Sequence, residues 1–320
     1  MNLRTMNRFW YDVLASTAVG ALLTILLLTL LFPDHIDDAV QLRVRVLGAL
    51  GVTIAVIVFS PRMKRPLRAA VRAAGTIALA SFLFSAVAGL QHMLTDGWND
   101  AALIAFETQF TGIELSHMLE RITTPALTEW LMASYVLYVP LMPFTAWVVY
   151  RVAGEREMYA YLFSLLAVNL LCDLGFVLYP VASQLFFDPD QYTVPLTGGL
   201  FTDAANWIRA NEHYPGGSFP SPHNAAGTVM FLFLWRTHRR WAAIMTPLLL
   251  SIPLATVYGR FHYLSDAVVG VTMAGILVYL VLRAGVPRPQ TRSAVSPAQP
   301  AFLNPFPRLQ SEQSSSRGSS

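Results

Sequence analysis

Two histidines, His223 in "FPSPHNA" and His262 in "YGRFHYLSDAVVG", are surrounded by the residues an imidazole needs to do chemistry. In the first stretch Ser221 is a good helix N-cap, Pro222 suits the first helical position, where its missing N–H costs nothing, and His223 follows in the first turn. A helix start presents free N–H groups and the positive end of the helix dipole, which together favour an anion such as phosphate. In the second stretch His262 and Asp266 stand four residues apart. On a helix they share a face, so the carboxylate can accept the ring N–H, fixing its tautomer and making the other nitrogen a better nucleophile or base. Arg260, two residues before His262, offers a bidentate clamp for phosphate oxygens. These groups fit a phosphate docked at a helix start beside a nucleophilic or basic imidazole.

Residues so far apart in sequence cooperate only if the fold returns the chain to one place, and the hydropathy pattern says how. Apolar residues make up 54% of the 320-residue chain and charged residues 13%, with a mean hydropathy of +0.47, far from the composition of a soluble domain. Long apolar stretches recur near 12–32, 45–60, 75–91, 127–149, 159–182, 223–235, 241–257 and 264–283. They predict an all-α, polytopic transmembrane helical bundle of about eight spans. The stretches 45–60 and 223–235 are short for a hydrocarbon core of roughly 30 Å and need flanking residues to complete them. Short loops rich in Lys and Arg stay cytoplasmic, and an inward N-terminus satisfies that rule. Of the 22 basic residues only Arg43, Arg45, Arg121, Arg209 and Arg260 then lie outside, whereas Asp34, Asp37, Asp38, Asp96, Asp100, Glu107, Glu114 and Glu120 all do. Both termini are expected in the cytoplasm. His223 then opens the sixth span from outside and His262 leads into the eighth from the same side, so the rings can meet.

Three regions follow. Residues 1–91 hold three spans and the basic loop "SPRMKRPLRAAVRAAG", which suits anionic headgroups. An apolar run of 12–32 exceeds a signal-peptide core and reads as an uncleaved span. Residues 92–285 carry both histidines and open on "ALIAFETQFTGIELSHMLERI", whose apolar positions suit an amphipathic helix lying in the outer interface. Between the fifth and sixth spans runs an outer loop from about Tyr179 to Gly217, long enough to be functional. Residues 286–320, rich in Pro, Ser, Gln and Arg, are expected to be a disordered cytoplasmic tail. The single cysteine, Cys172, excludes an intrachain disulfide and supports neither a redox pair nor a structural zinc site. The net charge of +3 sits in the arginine loops and gives no reason to expect nucleic acid. Asp173, mid-span, is a candidate for a substrate site or for a hydrogen bond between helices. His92, His117 and His238 read as tolerated interfacial groups, and Asp188–Tyr192, "DPDQY", as a turn rather than a calcium site.

In order, spacing and sidedness the two motifs resemble the type 2 phosphatidic acid phosphatase superfamily. The narrower likeness is to its branch containing inositol phosphorylceramide synthase and many bacterial lipid phosphatases. That branch has Pro-Ser-x-His at a helix start, then His-Tyr-x-x-Asp followed by a glycine. Here these are Pro220, Ser221 and His223, then His262, Tyr263 and Asp266, with Gly270 beyond. The stretch "FETQFTGIELSHMLERITTPALTEWLMASYVLYVPLMP" is similar to the branch's interfacial helix and following span, so the resemblance covers roughly 106–282. It implies that His262 attacks phosphorus to form a phosphohistidine, with Asp266 orienting it. His223 would protonate the leaving alkoxide and then activate water or an acceptor hydroxyl. Ser221 and nearby backbone N–H groups would hold phosphate oxygens, with Tyr263 and Arg260 in the substrate-binding set. The resemblance implies no cofactor and no metal, the positive charge coming from arginine, histidine and the helix end. Two features depart from the wider pattern. The usual first motif, a lysine followed seven residues later by Arg-Pro, is absent before "PSPH", and Arg260 stands closer to its histidine. Arg209 and His213, in "NWIRANEHYPGG", stand on the right side to replace the missing clamp.

The expectation is therefore an integral membrane lipid phosphate phosphatase or phosphotransferase at the outer face of a bacterial plasma membrane, Arg being nearly the only basic residue, as in GC-rich genomes. Its partners are the bilayer and a lipid phosphate, which need not leave the membrane for its phosphate to reach both rings. With water as acceptor the enzyme is a hydrolase. With an alcohol or sphingoid acceptor it is a headgroup synthase resembling inositol phosphorylceramide synthase. The alternative from another class is a non-catalytic lipid transporter whose histidines relay protons.

Overall fold

The computed structural model describes residues 3–36, 38–211 and 215–284; His213 and the expected tail over 286–320 lie outside them. No strand occurs among the described residues. The helices are α1 (Leu3–Leu31), α2 (Ala39–Phe59), α3 (Arg65–Val87), α4 (Asp100–Thr111), α5 (Leu115–Glu120), α6 (Pro125–Ala153), α7 (Glu155–Leu178), α8 (Gln184–Phe187), α9 (Leu200–Ala210), α10 (Pro222–Thr237), α11 (Arg239–Tyr258) and α12 (Leu264–Arg283). Their ends follow local chemistry. Thr124 caps α6, its side chain accepting from the Leu127 N–H ahead of Pro125. His238 ends α10 and caps α11, its Nδ1 accepting from the Trp241 N–H at 3.3 Å. α6 and α11 carry Pro140, Pro143, Pro247 and Pro253 without breaking, as membrane helices do when neighbours satisfy the freed carbonyls.

Among the described residues α1, α2, α3, α6, α7, α11 and α12 are long and apolar enough to cross a bilayer. α10, the remaining expected span, differs from these seven. Its 16 residues rise about 24 Å, short of the roughly 30 Å hydrocarbon core. It packs against α6, α7, α11 and α12, and Ala225, Ala226, Val229, Met230, Phe233 and Leu234 are fully buried. Protein rather than lipid surrounds it, which removes the length requirement. On the outward faces of other spans Leu23, Leu27, Val44, Val52 and Ile276 are exposed, as expected where lipid is the solvent.

The segments expected on the outer side are more structured than the sequence suggests. The single interfacial helix expected over "ALIAFETQFTGIELSHMLERI" is two helices, because Gly112, at φ 77°, ends α4 in the left-handed cap conformation. Phe106, Phe110, Ile113 and Met118 of this segment are exposed, while Asp100, Glu107, Glu114 and Ser116 are buried. Apolar residues outward and acids inward suit a segment lying in the interface. Within the expected outer loop, α9 is fastened to α6 by Glu129. Its carboxylate accepts from the N–H groups of Gly199 (2.7 Å), Phe201 (2.8 Å) and Thr202 (3.0 Å), closing the α9 N-terminus. At the other end of the spans Arg68 pairs with Glu155 at 2.6 Å and Arg236 with Glu157 at 2.7 Å.

Candidate active site

The starts of α10 and α12 lie side by side. Ser221 caps α10, its Oγ accepting from the Asn224 N–H at 3.4 Å and from Asn224 Nδ2 at 2.9 Å. The Ser221 N–H donates to the Asp266 carbonyl at 3.1 Å, stitching one helix start to the other. Gly270 makes the approach feasible, since a Cβ there would stand 2.6 Å from the Ser221 carbonyl oxygen. Asp266 in turn caps α12, Oδ2 accepting from the Tyr263 N–H at 2.9 Å.

This junction brings His262 Nε2 to 3.4 Å from His223 Nδ1. His262 Nδ1 is 2.9 Å from the Ser218 carbonyl oxygen and 3.4 Å from Asp266 Oδ2. A carbonyl only accepts, so Nδ1 carries the proton and Nε2 presents its lone pair on the side facing His223. The sequence assigns this role to Asp266; the nearer acceptor is the Ser218 backbone. The Ser218 hydroxyl donates to Asp266 Oδ2 at 2.7 Å, so one residue supports both ring and carboxylate. Burial pushes the His262 pKa down to about 3, which leaves the ring neutral at physiological pH.

His223 is held by aromatic rings. Tyr135 stacks on it at 4.8 Å between centroids and 22° between planes, and Tyr138 packs at 4.8 Å and 44°. Behind Tyr135 lies Phe261, stacked at 4.2 Å, and the Arg209 guanidinium sits 5.7 Å from the Phe261 ring. Arg209 is thus joined to His223 through a column of rings. Arg260, expected as a phosphate clamp, is engaged elsewhere: it pairs with Glu120 at 2.9 Å, donates to the Val194 carbonyl at 2.6 Å and covers the Tyr192 ring at 4.2 Å. Burial lowers its pKa while Glu120 opposes the shift. Tyr263, expected to touch substrate, is fully buried, and its hydroxyl donates to Asp100 at 2.8 Å. Asp100 also accepts from the N–H groups of Ala182 and Ser183, and Glu107 accepts from the Ser265 N–H and hydroxyl. Burial raises both carboxyl pKa values. These α4 acids fasten the start of α12. Asp173 is buried with one oxygen, Oδ2, lacking a hydrogen-bond partner. Among the described residues no group of three or more His, Cys, Asp or Glu is placed to hold a metal ion.

Chemically, the site offers a neutral, oriented imidazole as nucleophile, a second imidazole within proton-transfer reach of the same reacting atoms, and the positive end of the α10 dipole. The expected cradle of Ser221 and free N–H groups is not formed, because the N–H groups of Ser221, Asn224 and Ala225 and the Ser221 hydroxyl are all engaged within the protein. Sequence reading missed Ser218, Tyr135, Tyr138, Phe261, Asp100 and Glu107. Tyr135 and Tyr138 share a helix face at i, i+3, which is a usable signal. Ser218 acts largely through its backbone, which leaves no signature. A family model described as the PAP2 superfamily matches residues 101–280, just over half of the chain, from the first turn of α4 to the last turn of α12. No curated protein and no solved structure matches the chain.

Proposed function

Since the chain belongs to the PAP2 superfamily, we propose that it transfers the phosphoryl group of a membrane lipid phosphate through His262. Membership supports a phosphatase-type activity on lipid phosphates in general. The observation that carries the finer reading is the 2.9 Å contact from His262 Nδ1 to the Ser218 carbonyl, because it frees Nε2 beside His223.

In the first half-reaction Nε2 bonds to phosphorus while the bond from phosphorus to the lipid oxygen breaks, and His223 gives its proton to the departing alkoxide. The His262 ring then carries positive charge, which the Asp266 carboxylate and the Ser218 carbonyl stabilise from the Nδ1 side. In the second half-reaction neutral His223 takes a proton from water, whose oxygen bonds to phosphorus as the Nε2–P bond breaks. Orthophosphate leaves and His223 is again protonated. An alcohol or sphingoid hydroxyl in place of water gives the transferase reaction. The positive end of the α10 dipole attracts the phosphate, while the Ser221 N–H and hydroxyl, bonded to Asp266 and Asn224, hold the helix start in place; Arg209 is the candidate for the clamp, because Glu120 occupies Arg260. The active site lies at the outer face, with both termini cytoplasmic.

The test incubates purified protein in detergent with phosphatidic acid, lysophosphatidic acid and sphingoid phosphates, with and without alcohol acceptors and chelator. Lipid alcohol and orthophosphate are expected, insensitive to chelator and lost by about three orders of magnitude in His262→Ala. Lipid flux that survives with no turnover of any headgroup contradicts the reading and favours the transporter.

A further inference from the structure

A cleft of about 220 Å³ runs from His223 between two spans, walled by Val139 and Met142 of α6 and by Ile77, Ala80 and Phe84 of α3. With Ser81, the α3 residues recur at i, i+3, i+4 and i+7, a single stripe along one helix face. α3 precedes the stretch that the superfamily model matches, so one wall of a cleft touching a site histidine is built outside it. Phe84 is braced edge-on against Phe176 of α7 at 5.8 Å, which stiffens that wall.

We propose that this cleft binds one hydrocarbon chain of the substrate, with α3 as the wall that selects long-chain lipid phosphates over soluble phosphate esters. The proposal rests on the phosphoryl-transfer reading above. The walls are mainly apolar away from the His223 end, where Tyr135 and Tyr138 also line the cleft, and the lining amide of Asn169 donates to the Leu165 carbonyl of its own helix. A charged headgroup would be unpaired there, whereas methylenes lose nothing by entering. The volume is below the roughly 300–1,000 Å³ of pockets that engulf a whole ligand, which suits one chain continuing into the bilayer. Ser81 and Val139, both exposed and both on membrane-spanning helices, flank the opening, so the cleft faces lipid. His223 at its head puts the phosphate end of such a chain at the histidine pair.

Two variants narrow the mouth from opposite sides, Ser81→Trp and Val139→Trp. For each, kcat/KM is measured with a long-chain phosphatidic acid in mixed micelles and with para-nitrophenyl phosphate. The ratio of the first to the second is expected to fall about tenfold or more in both variants. A ratio equal to that of the parent protein in both overturns the proposal. Photolabelling with a phosphatidic acid carrying a diazirine near the end of one acyl chain gives a readout that needs no turnover. Labels are expected on residues 77–84 and 136–142. Labels confined to the apolar groove of Leu171, Val268, Met273 and Ile276, which no site histidine lines, overturn it. A parent protein that turns over neither substrate refutes the phosphoryl-transfer reading instead, and the photolabel then judges the cleft by itself.

Discussion

At His262 a backbone carbonyl, rather than the carboxylate four residues on, makes the closest contact with Nδ1. The His262 and Asp266 pairing was legible in the sequence because the two residues are local, although they do not share a helix face as the i, i+4 spacing suggests: His262 precedes Tyr263, the N-cap of α12, and meets Asp266 across the helix start. The Ser218 contact was not legible, because it depends on where a distant loop comes to rest. In the proposed mechanism Asp266 stabilises the cationic phosphohistidine, so Asp266→Asn is expected to reduce kcat by about two to four orders of magnitude. An unchanged kcat in that variant contradicts the electrostatic role. Burial also makes a stability prediction. The folded protein holds the His262 pKa at about 3, against roughly 6.5 in an unfolded chain. Between these values the unfolded chain takes up a proton that the folded protein refuses, so this contribution is complete above about pH 6.5 and lost as pH falls toward 3. The thermal midpoint in detergent should drop from about pH 7 to about pH 5, and by less in His262→Phe. Equal drops in the two proteins contradict the burial argument.

Among the elements, the spans were readable from hydropathy and their alternation correctly brought both histidine motifs to one end. The helix starts at Ser221 and Pro222 were readable from capping chemistry. The break at Gly112 and the amphipathic α9 were not separated from their surroundings, since exposed apolar residues in an interfacial segment mimic a continuous apolar pattern. Glu129 closes the start of α9, a contact between distant segments that local sequence does not announce. The α10–α12 junction is where element packing matters most to the site. Gly270→Val drives a side chain into the Ser221 carbonyl and is expected to cost about 1–3 kcal/mol and most of the activity. Gly275→Val, on the same helix with open space around it, serves as the control and should be near neutral. Equal thermal midpoints for the two variants contradict the close approach.

For the molecule as a whole, the distribution of arginine sets an orientation that labelling can check, because the sole cysteine, Cys172, is buried and replaceable by alanine. In that background Asp190→Cys should react with a membrane-impermeant maleimide added to intact cells, whereas Arg239→Cys should react only after lysis. The reverse pattern places the histidines on the inner side. The site itself unites segments from the long α7–α10 connection, α6, α10 and α12, so its two rings were legible but the supporting shell was not. The most direct test of the chemistry is to quench the reaction in alkali after milliseconds with a lipid labelled at its phosphate, then map the protein-bound label. An acid-labile phosphoryl group on the peptide containing His262, absent in His262→Ala, is predicted. Turnover at the parent rate with no label on that peptide contradicts a phosphohistidine at His262.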